Sequence, residues 1–169
     1  MGERALAVVR GDDADHLYYS QWAGRHATRI LSAPHRDRIA ILLDADWQYR
    51  DSLAPTAVSH HVDTLTIEAV YLVSADRVTV FQPVWLGVAS PDDAEIDRLT
   101  DGLLVHTATP AEFRRLRTTT QFFKGLLSEA LRLDILDTEQ ARDVLALAVR
   151  AVCTPERIHT PGTPLTGDL

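Results

Sequence analysis

Cysteine occurs once in these 169 residues, at Cys153, so no disulfide can close within the chain. That excludes a bridge-stapled extracellular scaffold and points to the cytoplasm. Lysine is equally scarce: Lys124 stands alone among arginines, and the acids are mostly Asp. This usage suggests a GC-rich genome and a salt-accumulating archaeon. Dense carboxylates keep a surface hydrated at molar salt, where the Debye length falls to roughly 3 Å. Basic excess is missing, the net charge being −7, which makes nucleic acid an unlikely partner because phosphate contacts need basic patches. Long apolar runs are missing too. The densest short one, Ile39 to Leu43, is far below a bilayer-spanning length, so no membrane partner is expected. Met1-Gly2-Glu3-Arg4 leads into a strand pattern and not an apolar signal segment. Gly2 lacks the downstream hydroxyl of a myristoylation site.

What is present is a chain with 46% hydrophobic residues, enough to bury its own core as one domain. The longest apolar segment, Thr64 to Val88, reads as a central hairpin. Leu65, Ile67, Ala69, Tyr71 and Val73 alternate along its first strand, Ser74 to Arg77 turns, and Val78, Val80, Leu86 and Val88 share one parity on the second. Pro83 cannot donate to a ladder, which predicts an edge strand or a bulge. Gly87 suggests a bend or a close approach. Upstream, Arg4 to Arg10 and His16 to Trp22 read as an N-terminal hairpin around Gly11-Asp12. Ala23 to Ser32 has helical spacing and stops before Pro34. Arg38 to Asp44 reads as a third strand buried on both faces, Asp44 to Asp51 as a loop, and Ser52 to Val62 as a short helix with Pro55 in its first turn.

Downstream, Ser90-Pro91-Asp92-Asp93 opens a short helix to about Thr100, and Leu103 to Thr107 is the last strand. Thr109-Pro110-Ala111-Glu112 is a capping box, and Phe113, Leu116, Phe123, Leu127 and Leu131 make the apolar stripe of its helix. Asp137 with Gln140 opens a second helix, joined by a short link to form an antiparallel pair. The expected fold is α+β: a mostly antiparallel sheet with a C-terminal antiparallel helix pair packed on one face. The domain should span residues 1–153. Residues 154–169 read as an irregular tail, either docked on the domain or held by a partner.

Several of these stretches carry a resemblance. ALAVVR, LYYSQWAG, HVDTLTIEAVYLVS and VWLGV, with the C-terminal helix pair, resemble an uncharacterised family of haloarchaeal proteins. That family begins with a Gly-x-Arg-Ala-Leu hairpin and a Tyr-Ser-x-Trp-Gly turn and continues with a His-x-Asp-x-Leu-x-x-Glu-Ala-x-Tyr-x-Val-Ser strand entry. The matching residues are Tyr19, Ser20, Trp22 and Gly24, displaced by Ala23, then His61, Asp63, Leu65, Glu68, Ala69, Tyr71 and Ser74. Gln21 stands where the family often has His. The resemblance implies the salt-loving setting and the α+β fold, and brings no activity with it.

Candidate chemistry is sparse. His61 and Asp63, two apart at a strand entry, would project to one side and share a divalent metal. A catalytic zinc needs three protein ligands, so His16, or Asp44 and Asp46, would have to complete the set for a metal-dependent hydrolase. The competing reading is that His61 and Asp63 cap the short helix and tie it to the hairpin. Tyr19, Ser20 and Trp22 could wall a small-ligand pocket, or form the flank of a sheet core. Arg114, Arg115 and Arg117, with Lys124, form a basic patch that could dock a phosphate or an acidic partner, or simply face solvent. His35-Arg36-Asp37 spells a kinase tripeptide without its companions. The expectation is a non-enzymatic cytoplasmic protein with no cofactor. It would belong to a halophilic archaeon or its virus and act by associating with itself or another protein.

Overall fold

In a computed structural model that describes residues 3–88 and 102–166, the chain forms an α+β fold around one mixed sheet. Its strands are β1 (Arg4–Arg10), β2 (Asp15–Ser20), β3 (Gln48–Leu53), β4 (Ile67–Ser74), β5 (Arg77–Trp85), β6 (Gly102–Thr107) and β7 (Ile158–His159). The spatial order is β3-β2-β1-β4-β5-β6-β7. Only β1 and β4 run parallel; every other neighbouring pair is antiparallel. The helix expected near Ser90 lies outside the described residues.

Both expected hairpins form, because the alternating apolar residues have a buried face to fill. β1 pairs with β2 from Ala5 opposite Ser20 to Arg10 opposite Asp15. β4 turns into β5 through Ala75-Asp76, with Ala75 in the left-handed region at φ +49°. Parity then sorts the core. Ala5, Ala7, Ala69, Tyr71, Val78 and Val80 pack under a 3-10 turn at Ala23–His26 and the helices α1 (Ala27–Ser32) and α2 (His35–Leu43). Farther along the same parity, Val84, Leu103 and Val105 pack under α3 (Pro110–Arg132) and α4 (Thr138–Val152). The opposite parity, with Leu6, Val8, Val70, Leu72 and Phe81, is covered by a 3-10 turn at Val58–His61 and by Leu165.

Four expectations need correction. Arg38 to Asp44 is not a strand but most of α2. Pro34 ends α1 and serves as the N-cap of the next helix, and the burial that follows has helical period. Arg38 and Leu42, four apart, are buried, while Ala40 is exposed and Leu43 is 74% exposed. A strand buried on both faces would have hidden all of them. Trp47 closes the end by donating its Nε1–H to the Leu42 carbonyl at 2.7 Å. Ser52 to Val62 is not a helix: β3 takes its start, and one 3-10 turn its end. β3 lacks apolar alternation because it is an exposed edge, held by its ladder to β2 and by Tyr49 meeting Tyr18 edge-on at 5.6 Å.

The third correction concerns Pro83. β5 is an interior strand, between β4 and β6. Its pairing with β4 nevertheless stops at Phe81, while pairing with β6 continues to Trp85. Pro83, with no N–H to give, comes where β4 no longer receives one. The two strands part at that point and leave a gap.

The C-terminal segment is docked. β7 pairs with β6 through His159 opposite Leu104. Arg10 donates to the Leu165 carbonyl at 2.9 Å, and the Gly162 N–H donates to Ser59 Oγ at 2.8 Å. β6 is therefore not the last strand.

Candidate functional site

The gap between β4 and β5 is the cleft of greatest chemical interest. α3 roofs it, and its volume is about 190 Å³. The β4 side contributes Thr64 and Glu68, β5 contributes Gln82 and Trp85, and α3 contributes Thr120 and Lys124. Each sits there for a local reason. Gln82 shares the parity of Val80 and Val84, so its side chain is carried under the helices where an apolar residue would be expected. Lys124 follows Arg117 by seven residues, two helical turns, so both reach the same side of α3. Trp85 ends β5, and a Cβ on Gly87 would overlap its ring, which is the close approach that glycine permits.

The electrostatics are unusual for a protein interior. Lys124 Nζ lies 4.7 Å from the centroid of the Trp85 ring, a cation–π contact worth about 1–2 kcal/mol when partly desolvated. Burial pushes the Lys124 ammonium down to about 8. Arg117 is engaged at the rim with Glu68, 3.6 Å away. Gln82 is 6% exposed and Trp85 5%, yet Gln82 Oε1 and Trp85 Nε1 have no hydrogen-bond partner. An orphaned buried acceptor or donor costs about 1–3 kcal/mol. Two around one cleft are a concentrated expense for the fold.

A second polar cluster lies where β5, β6 and β7 meet. His106 and His159 flank the Phe81 ring at 5.7 and 5.2 Å, and both are buried. His106 Nδ1 and His159 Nε2 lack partners. Burial lowers both imidazoles, and Arg157 adds to the effect at His106. Arg157 also pairs with Glu112 at 3.0 Å. Burial alone would raise the Glu112 carboxyl, but the Ala108 N–H and Arg157 outweigh it and hold the group low.

The residues singled out in the sequence are placed differently. Asp63 accepts from the N–H groups of Leu65 and Thr66 and from the Thr66 hydroxyl at 2.9 Å. It caps the turn into β4, which begins only at Ile67. His61 is exposed in the 3-10 turn and His16 is exposed on β2. Among the described residues no three His, Cys, Asp or Glu side chains form a group able to hold a metal ion. Ser20 Oγ accepts from the Trp22 and Ala23 N–H groups and so shapes the exit from β2. Tyr19 donates to Gln21 Oε1 at 2.6 Å and lies under the Arg50 guanidinium, while Trp22 points out to solvent.

The basic patch is divided. Arg115 donates to the Val152 carbonyl at the end of α4, Arg117 pairs with Glu68, Lys124 enters the cleft, and Arg114 is exposed. Cys153 is the half-buried C-cap of α4, its thiol pushed up by burial. Gln82, Trp85, His106 and His159 carried no motif. The solitary lysine and Pro83 were the signals that could have led to the cleft.

Away from the cleft, α3 presents Phe122, 65% exposed, and Leu126, 56% exposed, one turn apart. Gly125 lies beside them, and a Cβ there would meet nothing within 4 Å. No described helix is long and apolar enough to cross a membrane. Comparison with family models, curated proteins and solved structures finds no match to this chain.

Proposed function

We propose that this chain is a non-enzymatic cytoplasmic protein of a halophilic archaeon, or of its virus, that works by associating with a second copy of itself. The outer face of α3 supports this reading. Phe122, Leu126 and Leu133 fall within about 40° of one another around the helix, and each is more than half exposed. A helix-interior glycine costs about 1 kcal/mol against alanine. Among the described residues nothing lies within 4 Å of a Cβ built at Gly125. In an antiparallel, two-fold pairing of α3 with its copy, that glycine lets the backbones cross closely.

Charge runs the same way. α3 starts with Glu112 and then Arg114, Arg115 and Arg117, while at its far end Glu129 is paired with Arg132 and Asp134 follows just past the helix. An antiparallel pair sets the basic start of one copy against the acidic end of the other. Apolar contact is the durable part of such an interface at molar salt, where charges more than roughly 3 Å apart are screened. The setting rests on the resemblance and on the Asp- and Arg-rich composition.

Sedimentation velocity in molar potassium chloride tests the reading. The protein should sediment as a dimer, and Leu126→Glu should convert it to a folded monomer. A wild-type monomer at tens of micromolar defeats the proposal.

A further inference from the structure

We propose that the cleft where β4 and β5 part is a binding site for a small carboxylate that also carries a hydrogen-bond donor, an α-hydroxy or α-amino acid, held by Lys124, Gln82 and Trp85. This is independent of the outer face of α3 and of any association there. The argument is one of complementarity. Gln82 Oε1 is an acceptor without a donor, Trp85 Nε1–H is a donor without an acceptor, and both residues are more than nine-tenths buried in the wall of one cleft. A ligand that satisfies both must offer an acceptor and a donor together. Lys124 adds a cation at the same place and selects an anionic acceptor.

The charge inventory narrows the class. The charged residues lining the cleft are Glu68, Arg117 and Lys124. Glu68 and Arg117 are paired with each other at 3.6 Å, so among the described residues one cation is left for the ligand. That matches a singly charged carboxylate better than a phosphate dianion, which would also face the Glu68 carboxylate. Size agrees: 190 Å³ is the share of about six waters at ~30 Å³ each, the bulk of lactate or serine. The choice of lysine at position 124 has a chemical reason as well. Arg fills the other basic positions, but a planar guanidinium would spread five donors through a cleft that must offer a single compact charge.

Calorimetric titration of the full chain with lactate and with L-serine, using propionate and inorganic phosphate as controls, tests the site. At least one of the first two should bind saturably. Gln82→Leu and Lys124→Met should each weaken it about ten-fold or more, as expected for hydrogen bonds to charged or buried groups. Propionate, lacking the donor, should bind about ten-fold more weakly on the same ground. Binding should also weaken above pH 8, where Lys124 loses its proton. A measurement on the wild type covers the case of misfolded variants: the ligand should slow acylation of Lys124, the only lysine, followed by peptide mass. Lactate binding without serine binding assigns a hydroxy acid, and the reverse an amino acid. The proposal is overturned if neither ligand gives saturable heat, if propionate or phosphate binds as well, or if Lys124 is labelled at the same rate with ligand present.

Discussion

Mild acid should destabilise this protein through two histidines. His106 and His159 are buried beside Phe81, and burial is the first cause of the lowered pKa of each. The charged groups that act on His106 are Arg157, His159 and Arg38, which lower it further, and Glu112, which opposes them. Both start from 6.5 in an unfolded chain. Below that pH the unfolded state binds protons that the folded state refuses, so stability is complete above 6.5 and declines as the pH falls. At pH 5.5 the loss per histidine is bounded by RT ln 11, about 1.4 kcal/mol, the limit for an imidazole wholly neutral in the fold. For the two together the ceiling is nearly 3 kcal/mol, roughly a fifth to three-fifths of the 5–15 kcal/mol that a domain has. His26, only half-buried and also lowered by burial, adds a smaller amount. Glu112, whose carboxyl is held below 4.5, contributes stability that is lost only under that pH, so a comparison of pH 7.5 with 5.5 reads mainly the histidines. Urea unfolding followed by tryptophan fluorescence, at constant salt, reads the difference. His106→Gln and His159→Gln should each remove close to half of it. Equal urea midpoints at the two pH values would refute the argument, as would an unchanged difference in the double variant.

Three substitutions probe the frame around the sites. Tyr71 is fully buried and donates to the Ala23 carbonyl at 2.7 Å, so Tyr71→Phe should cost about 1–2 kcal/mol by urea unfolding; no change would mean that water reaches that carbonyl. Gly87→Ala forces a methyl into the Trp85 ring and should cost about 1–3 kcal/mol, with a shift in tryptophan emission that a change at a remote site would not produce. Asp137→Ala removes the capping box of α4, in which Asp137 accepts from the Gln140 N–H at 2.8 Å. That should cost about 1 kcal/mol, read as a lower melting temperature, and replacement by Ser should restore most of it.

How much of the fold was legible depended on whether a segment faces one environment or two. α3 and α4 were legible because each carries a cap and a one-sided stripe, and the caps form: Thr109 accepts from the Glu112 N–H at 3.2 Å, and Asp137 and Gln140 bond reciprocally. The hairpins were legible for the same reason, since alternation directly encodes a buried and an open face. α2 was not. Six consecutive residues such as Arg38 to Leu43 satisfy strand and helix templates equally. The tie is broken by Arg38, whose guanidinium reaches the carbonyls of Ala33, Leu31 and Val78. A buried arginine that satisfies the end of α1 and a strand is tertiary information. β3 was illegible for the opposite reason: an exposed edge needs no apolar signal, and its residues are chosen for its ladder and for solvent.

The cleft shows the same limit from the side of function. A metal or catalytic constellation announces itself by clustering reactive residue types in sequence, and the histidine–aspartate pair at 61 and 63 did so. The structure spends that aspartate on a turn. The cleft draws instead on β4, β5 and α3, from Thr64 to Lys124, through residue types that are individually ordinary. Its clue was an inconsistency. Pro83 forbids full pairing of β5, yet the residues on either side of it, Gln82 and Val84, are buried as deeply as any core strand. A strand that must lose a neighbour and stay buried needs something else to cover it. α3 covers it incompletely, with the chain's one lysine held over a tryptophan ring. A purely structural gap would close on apolar side chains, because leaving Gln82 Oε1 and Trp85 Nε1 unpartnered is the more expensive arrangement by about 1–3 kcal/mol for each group.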